Sequence, residues 1–428
     1  MPGLSPRPSG LHATVRLTSA TPYPSGDVGS TMRVSVVQHS GRRWSRVGRR
    51  DRDRDHIIMR LTDTFIRSLP KVLLHDHLDG GLRPQTAIEL ARDQHYKALP
   101  TTDAGELAEW FHRGAQRGSL PVYLEGFAHT CGVMQTEESL ERVAYEMMEE
   151  MHEDGVVYVE TRFAPVFHTA RKLHWDDVVS AVLKGLERGK KDFGVEYGLI
   201  ICAMRNMRLS REMAELAVDF RERGVVGFDL AGEEGGFPPK KHVEAFHYIQ
   251  RENFNITIHA GEAFGKESIW QAIQWCGAHR IGHATRLIED IGLDAHDPTK
   301  IVKMGYLAQY ILDKRIPLEI CLSSNVDTGA AESIETHPFG IYYRYNFRVT
   351  LNTDDRLMSD TTMTKEFRLA HQTFDLALDD LEKITINSMK SAFIPYKGRI
   401  ALIYDVIKPG YSKARMASKK RARLRDKG

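Results

Sequence analysis

The stretch Val72-Leu73-Leu74-His75-Asp76-His77-Leu78-Asp79-Gly80-Gly81 decides how the rest of the chain is read. Three apolar residues run into His-x-His, so a short β-segment ends in polar groups. In a strand, residues two apart share a face; His75 and His77 therefore reach toward one point while Asp76 faces the other way. Strands that end in ligand-type side chains are the mark of a (β/α)₈ barrel, whose strand C-termini converge on one catalytic mouth. Two hydrogen-bonded strand histidines would give the same local pattern, so the reading depends on how the other strands end.

Working outward, β-rich runs occur at Lys71–His75, Gly155–Arg162, Tyr197–Met204, Val225–Leu230, Asn255–His259, Arg280–His283, Pro317–Leu322 and Arg348–Leu351. Helical periodicity fills the gaps over Glu137–Glu153, Trp175–Phe193, Arg211–Arg223, Lys240–Asn253, Lys266–Cys276 and Thr299–Asp313. Eight strands alternating with helices predict an α/β fold and favour a (β/α)₈ (TIM) barrel over an open sheet, though the alternation alone does not decide between them and the strand ends do. The long connection from Asp79 to Asp154 predicts extra helices after the first strand. Thr364–Leu376 and Asp380–Ala392 read as helices that close the barrel after the eighth.

The strand ends repay the comparison. The fifth ends in His259-Ala260-Gly261-Glu262, which supplies a third imidazole and a carboxyl group suited to proton transfer. The sixth ends in Gly282-His283, and the eighth is followed by Asn352-Thr353-Asp354-Asp355, one of whose carboxylates can serve as an oxygen ligand. Scattered structural histidines would not respect strand ends. Three imidazoles, one carboxylate and a water form a donor set that suits zinc, and a divalent cation there lowers the pKa of water toward neutrality. Hydrolysis of a polarised C–N bond is within reach of such a site.

Bulk properties narrow the class. The 428 residues are 42% hydrophobic and 27% charged, with a formal net charge of +2. That is ordinary globular composition with no overall bias toward nucleic acid or anionic membrane. No run of about 18 apolar residues suggests a membrane span, and no compact apolar segment suggests a secretory signal. Cys131, Cys202, Cys276 and Cys321 are widely spaced without a CxxC pair, as expected of buried reduced thiols in a cytoplasmic protein. Residues 1–60 are rich in Ser, Pro, Gly and Arg and read as a disordered basic extension, with Met59 as an alternative start. The catalytic domain is expected over residues 61–411, followed by a basic tail over 412–428. The basic ends suggest no specific nucleic-acid partner, and the oligomeric state is not legible.

Taken together, these motifs resemble the adenosine deaminase family. The resemblance rests on His75-x-His77-x-Asp79-Gly80, Tyr158-Val-Glu-Thr-Arg162-Phe-Ala-Pro165, Asp229-Leu-Ala-Gly232-Glu233, His259-Ala-Gly-Glu262, Gly282-His283, Ser323-Ser-Asn325, His337-Pro-Phe339 and Asn352-Thr-Asp354-Asp355, and runs from about Leu69 to about Tyr411. It implies one Zn²⁺ per subunit held by His75, His77, His259 and Asp354. It also implies Glu262 as proton donor to purine N1, His283 beside the attacking water to deprotonate or orient it, and Asp355 holding the attacking and departing groups. By the same resemblance His77, Asp79 and Gly232 contact the nucleoside, Asp79 at the ribose 5′-hydroxyl and the Gly232 N–H at purine N3. The implied reaction turns adenosine or 2′-deoxyadenosine into the inosine counterpart and ammonia, in purine salvage. Adenine deaminases carry Glu at the position of Asp79, so a related adenine-containing substrate ranks second. A catalytically silent barrel would have lost a ligand or Glu262. Two departures from the family pattern stand out: Ala284 after His283, and Arg356 in place of Pro after the paired aspartates, where it is expected at the pocket rim or in solvent.

Overall fold

The first strand, β1 (Lys71–His77), is buried along nearly its whole length in the computed structural model, which describes residues 61–425. Burial on both faces is what a parallel strand between other layers requires. β1 pairs in parallel with β2 (Val156–Phe163), β2 with β3 (Glu196–Met204), and β3 with β4 (Val225–Ala231). A second parallel set joins β5 (Thr257–Ala260), β6 (Arg280–His283), β7 (Leu318–Ile320) and β8 (Val349–Leu351). Two bridges close the sets into a ring, Phe228 of β4 against Ile256 and Asp76 of β1 against Asp354. At the second seam the His77 N–H donates to the Asp354 carbonyl at 2.8 Å and the Asp354 N–H to the His75 carbonyl at 3.0 Å. The backbone that shuts the barrel is thus the backbone that carries the candidate ligands. All eight expected strands are present, each within two residues at either end.

Helices Glu137–Glu153 and Trp175–Phe193 form over the expected residues, the first started by a capping box between Thr136 and Ser139. The extra helices after β1 are Pro84–Asp93, Ala104–Ala115, Leu120–Tyr123 and Phe127–Val133, and Met363–Thr373 and Leu378–Ser391 close the barrel. One expected helix is corrected. Within Thr299–Asp313, the β-branched pair in Ile301–Met304 lies antiparallel to Ile291–Leu293, and the helix runs only over Tyr306–Lys314. Gly305 begins it, and the Asp290 carboxylate accepts the N–H groups of Leu307 and Ala308 at 3.0 Å each. Helix Lys408–Arg425 runs through the boundary drawn after Tyr411, whose buried hydroxyl lies 2.9 Å from that of Thr385. The extension expected over residues 1–60 lies outside the described residues. No helix among the described residues is long and apolar enough to cross a membrane.

Inside the ring the core is charged. Arg162 lies between Asp229 and Glu319 at 3.0 Å each, and Arg280 between Glu160 at 2.6 Å and Glu319 at 2.5 Å, all five essentially without solvent exposure. Thr257 donates to Glu319 at 3.0 Å, and Tyr158 to Glu160 at 2.7 Å. Such charges persist in a dry interior only because each guanidinium is shared by two carboxylates.

Candidate metal and catalytic centre

The network under the barrel mouth dictates how the candidate ligands present themselves. Glu319 lies 2.8 Å from His75 Nδ1, and Asp229 lies 3.0 Å from His259 Nδ1. Each carboxylate holds the ring proton on Nδ1, which turns the Nε2 lone pair away from the network and toward the mouth. His77 Nε2 and His259 Nε2 lie 3.1 Å apart, and Asp354 Oδ1 lies 3.1 Å from His75 Nε2 and 3.4 Å from His77 Nε2. The four ligand atoms all fall within 4.8 Å of one another. His75 Nε2 is buried without a hydrogen-bond partner. Converging lone pairs with one carboxylate constitute a cation site, so His75, His77, His259 and Asp354 fit a metal ion. Ser324 donates to the other oxygen of Asp354 at 2.6 Å, orienting that carboxylate, and Asp354 itself has a left-handed backbone (φ 61°).

Around these four stand the remaining expected groups. Glu262 is buried, with Oε2 3.6 Å from His283 Nε2. Burial, with the charges of Asp354 and Glu234 adding to it, pushes the Glu262 carboxyl well above the usual range. Burial likewise keeps His283 neutral, far below an ordinary imidazole. The Asp355 carboxyl is raised by burial and by neighbouring Asp354. It sits so close to Gly80 that a Cβ there would lie 1.9 Å from Asp355 Oδ1, which explains the glycine after Asp79. Asp79 is buried too, its Oδ2 3.8 Å from the Cys131 thiol and 3.5 Å from His168 Nε2, while Oδ1 has no partner. Gly232 follows β4 with φ 96°, a conformation costly for other residues.

Arg356 departs from expectation. It does not point to solvent: it is buried beside a cavity that Gly81, Arg83, Glu150 and Asp360 also line, away from the four candidate ligands, its Nε donates to Asp76 at 2.9 Å, and its NH1 group pairs with Glu150. The physical reason is Asp76, which faces outward from β1 and needs a cation where the outer helices bury it; Thr353 donates to the same Asp76 oxygen at 2.9 Å.

Some residues with a bearing on the site were not singled out by motif. Glu234 accepts backbone N–H groups from Gly261, Glu262, Ala263 and Phe264 at 2.7–3.0 Å, clamping the loop that carries Glu262. Arg205 braces the same strand end through the carbonyls of His259 and Phe237. Glu319 carries the one usable signal, a charge in the middle of a short apolar strand, which marks an inward-facing barrel position.

A family model described as adenosine deaminase matches residues 70–409. The chain is 54% identical over 352 residues to adenosine deaminase 1 of Streptomyces coelicolor, covering 81% of this chain and 88% of that one. It is 53% identical over 353 residues to the adenosine deaminase of Mycobacterium avium, covering 81% and 96%. Among solved structures, an amidohydrolase from B. ambifaria with bound Zn shares the fold with a TM-score of 0.71 at 20% identity, over 85% of this chain and 96% of that one.

Proposed function

The chain belongs to the adenosine deaminase family, a family of hydrolases acting on C–N bonds, and from that premise we propose how its own residues carry the reaction. The substrates are adenosine and 2′-deoxyadenosine, and the products are the 6-oxo nucleosides and ammonia. One Zn²⁺ is held by His75, His77, His259 and Asp354, and when bound it supplies a water acidified toward neutral pH. The observation that carries the reading is the buried Glu262 carboxyl, 3.6 Å from His283 Nε2 and beside this ligand set.

Glu262 donates its proton to purine N1, which draws electron density from C6 and opens that carbon to attack. His283 orients the attacking water. Asp355, whose raised affinity for a proton suits transfer, holds the attacking oxygen and then the departing amino group. The Gly232 N–H meets purine N3, His77 borders the nucleoside, and Asp79 accepts the ribose 5′-hydroxyl proton through its unpartnered oxygen. The carboxylates of Glu234, Glu319 and Asp229 hold the Glu262 loop and the His75 and His259 rings in place. Four buried free thiols support a cytoplasmic site for the reaction.

The test follows the ultraviolet absorbance of adenosine on adding the protein, with and without dipicolinate. Conversion to inosine that the chelator abolishes is expected. No turnover by folded, zinc-loaded protein would remove the substrate reading while leaving the barrel and its ligand set intact.

A further inference from the structure

Asn325 of the motif Ser323-Ser324-Asn325 and His337 of His337-Pro338-Phe339 have no part in the chemistry above, yet they meet behind His283. Asn325 Nδ2 lies 2.9 Å from His283 Nδ1, and Asn325 Oδ1 lies 3.1 Å from His337 Nε2. The Phe339 backbone N–H donates to His337 Nδ1 at 3.0 Å. Asn325 and His337 are fully buried and His283 nearly so, and all three bonds are of ordinary length.

The chain has a direction because one end is a backbone amide, which can only donate. His337 Nδ1 must therefore accept, and burial keeps that ring neutral, its pKa pushed down to about 3. A neutral ring whose Nδ1 accepts carries its proton on Nε2. His337 Nε2 then donates to the Asn325 carbonyl oxygen, which turns the amide NH₂ toward His283. His283 Nδ1 is left as an acceptor, and its single proton sits on Nε2. That nitrogen is buried, has no hydrogen-bond partner, and faces Glu262 across 3.6 Å.

We infer that Phe339, His337 and Asn325 form a directional relay that sets the tautomer of His283 as Nε2–H, making Asn325 and His337 positioning residues for the deaminase reaction. Resting His283 thus offers a proton at the reaction centre and has no lone pair there with which to take one. It holds the attacking oxygen by donating to one of that oxygen's lone pairs. The inference rests on the proposed function for its consequence in catalysis, but the tautomer itself can be observed without any substrate.

The experiment is ¹⁵N NMR of the zinc-loaded protein with labelled histidines, in which the His283 signals are identified by their loss in His283→Gln. The Nε2–H pattern is expected; an Nδ1–H pattern would overturn the relay. Asn325→Asp places an acceptor against Nδ1 and should move the proton there, lowering kcat by about 10²-fold or more with KM within about threefold and zinc content unchanged. A wrong histidine tautomer in an otherwise intact serine-protease triad lowers kcat by about 10⁴-fold. An Asn325→Asp protein that keeps the Nε2–H pattern, or that keeps wild-type kcat after the proton has moved, would sink the inference. His337→Leu, which cuts the relay one step further away, serves if Asn325→Asp does not fold. It should give a mixture of tautomers and a kcat about tenfold down, and a pure Nε2–H signal in it would be equally fatal. Failure of the wild-type protein to deaminate adenosine, with the Nε2–H signal present, would count against the substrate and leave the relay standing.

Discussion

The barrel interior and the barrel mouth both bury carboxylates beside nitrogen bases, arginines in one and histidines in the other, and arrange them in opposite ways. In the interior each guanidinium is shared: Arg162 between Asp229 and Glu319, Arg280 between Glu160 and Glu319. At the mouth like faces like. Three imidazole nitrogens converge, Asp354 and Asp355 are adjacent, and His75 Nε2, His283 Nε2, Asp79 Oδ1 and Asp355 Oδ1 are buried without partners; the interior has unpartnered atoms of its own, such as Arg162 Nε, but there each charged group still keeps an ionic partner. Unpaired buried polar groups cost stability unless something else satisfies them. The contrast shows where this fold spends its charge on holding itself together and where it leaves charge for a cation and a substrate. The two regions are also coupled, since Glu319 and Asp229 belong to the interior and orient His75 and His259 of the mouth.

The comparison breaks most sharply at Glu262. Glu262→Gln removes the proton donor and leaves the ligand set alone, so turnover should fall by about 10³–10⁴-fold with metal content retained. Near-normal kcat would take Glu262 out of its role. On the interior side, Glu319→Gln strips one carboxylate from two buried arginines and from His75 together. Unfolding by denaturant should show a loss of about 3–5 kcal/mol, and metal competition an affinity 10–100-fold weaker. If stability falls while metal affinity does not, the coupling between the two regions is absent.

Smaller effects sharpen the division. Glu234→Gln keeps only one acceptor oxygen and turns an amide against backbone donors, so the loop bearing Glu262 loses its clamp. We expect kcat to fall by about 10²-fold with KM and zinc nearly unchanged, as a misplacement of about 1 Å produces. Asp79→Ala should raise KM for adenosine by about 10–100-fold, the worth of a hydrogen bond to a charged group, while sparing the metal; a metal-free product would contradict this.

The smallest effect is a pH dependence. Burial pushes the Asp327 carboxyl up to about 6. A carboxyl whose pKa is higher in the folded state stabilises the fold below its unfolded pKa, near 4, and that benefit is lost as pH rises toward 6. Asp327→Asn should therefore gain about 1–2 kcal/mol at pH 7.5 and almost nothing at pH 4. Equal gains at both pH values, read from thermal or chemical unfolding, would refute the assignment.

Much of this was legible in one dimension. His75 and His77 share a face because strand side chains alternate, and the ends of β5, β6 and β8 could be located because apolar runs stop at His259, His283 and Asp354. The helix expected over Thr299–Asp313 shows the limit, since Ile301–Met304 fits a helical apolar pattern until Ile291–Leu293 offers it a strand partner. Arg356 shows it again. Its partner Asp76 lies 280 residues away, and nothing near Arg356 in sequence announces a buried ion pair.

The sequence by itself determined the alternation of strands and helices, the strand ends that carry chemistry, and the family to which those motifs point. Periodicity and short spacing are local, and local backbone geometry turns them directly into faces and ends. Only the tertiary structure decided that Asp355 packs against Gly80, that Glu234 clamps the Glu262 loop, and that Asn325 and His337 line up behind His283. Each of those outcomes is a hydrogen bond or a contact between residues far apart in the chain. Such partners are chosen by the closure of the barrel, which no single stretch of sequence contains.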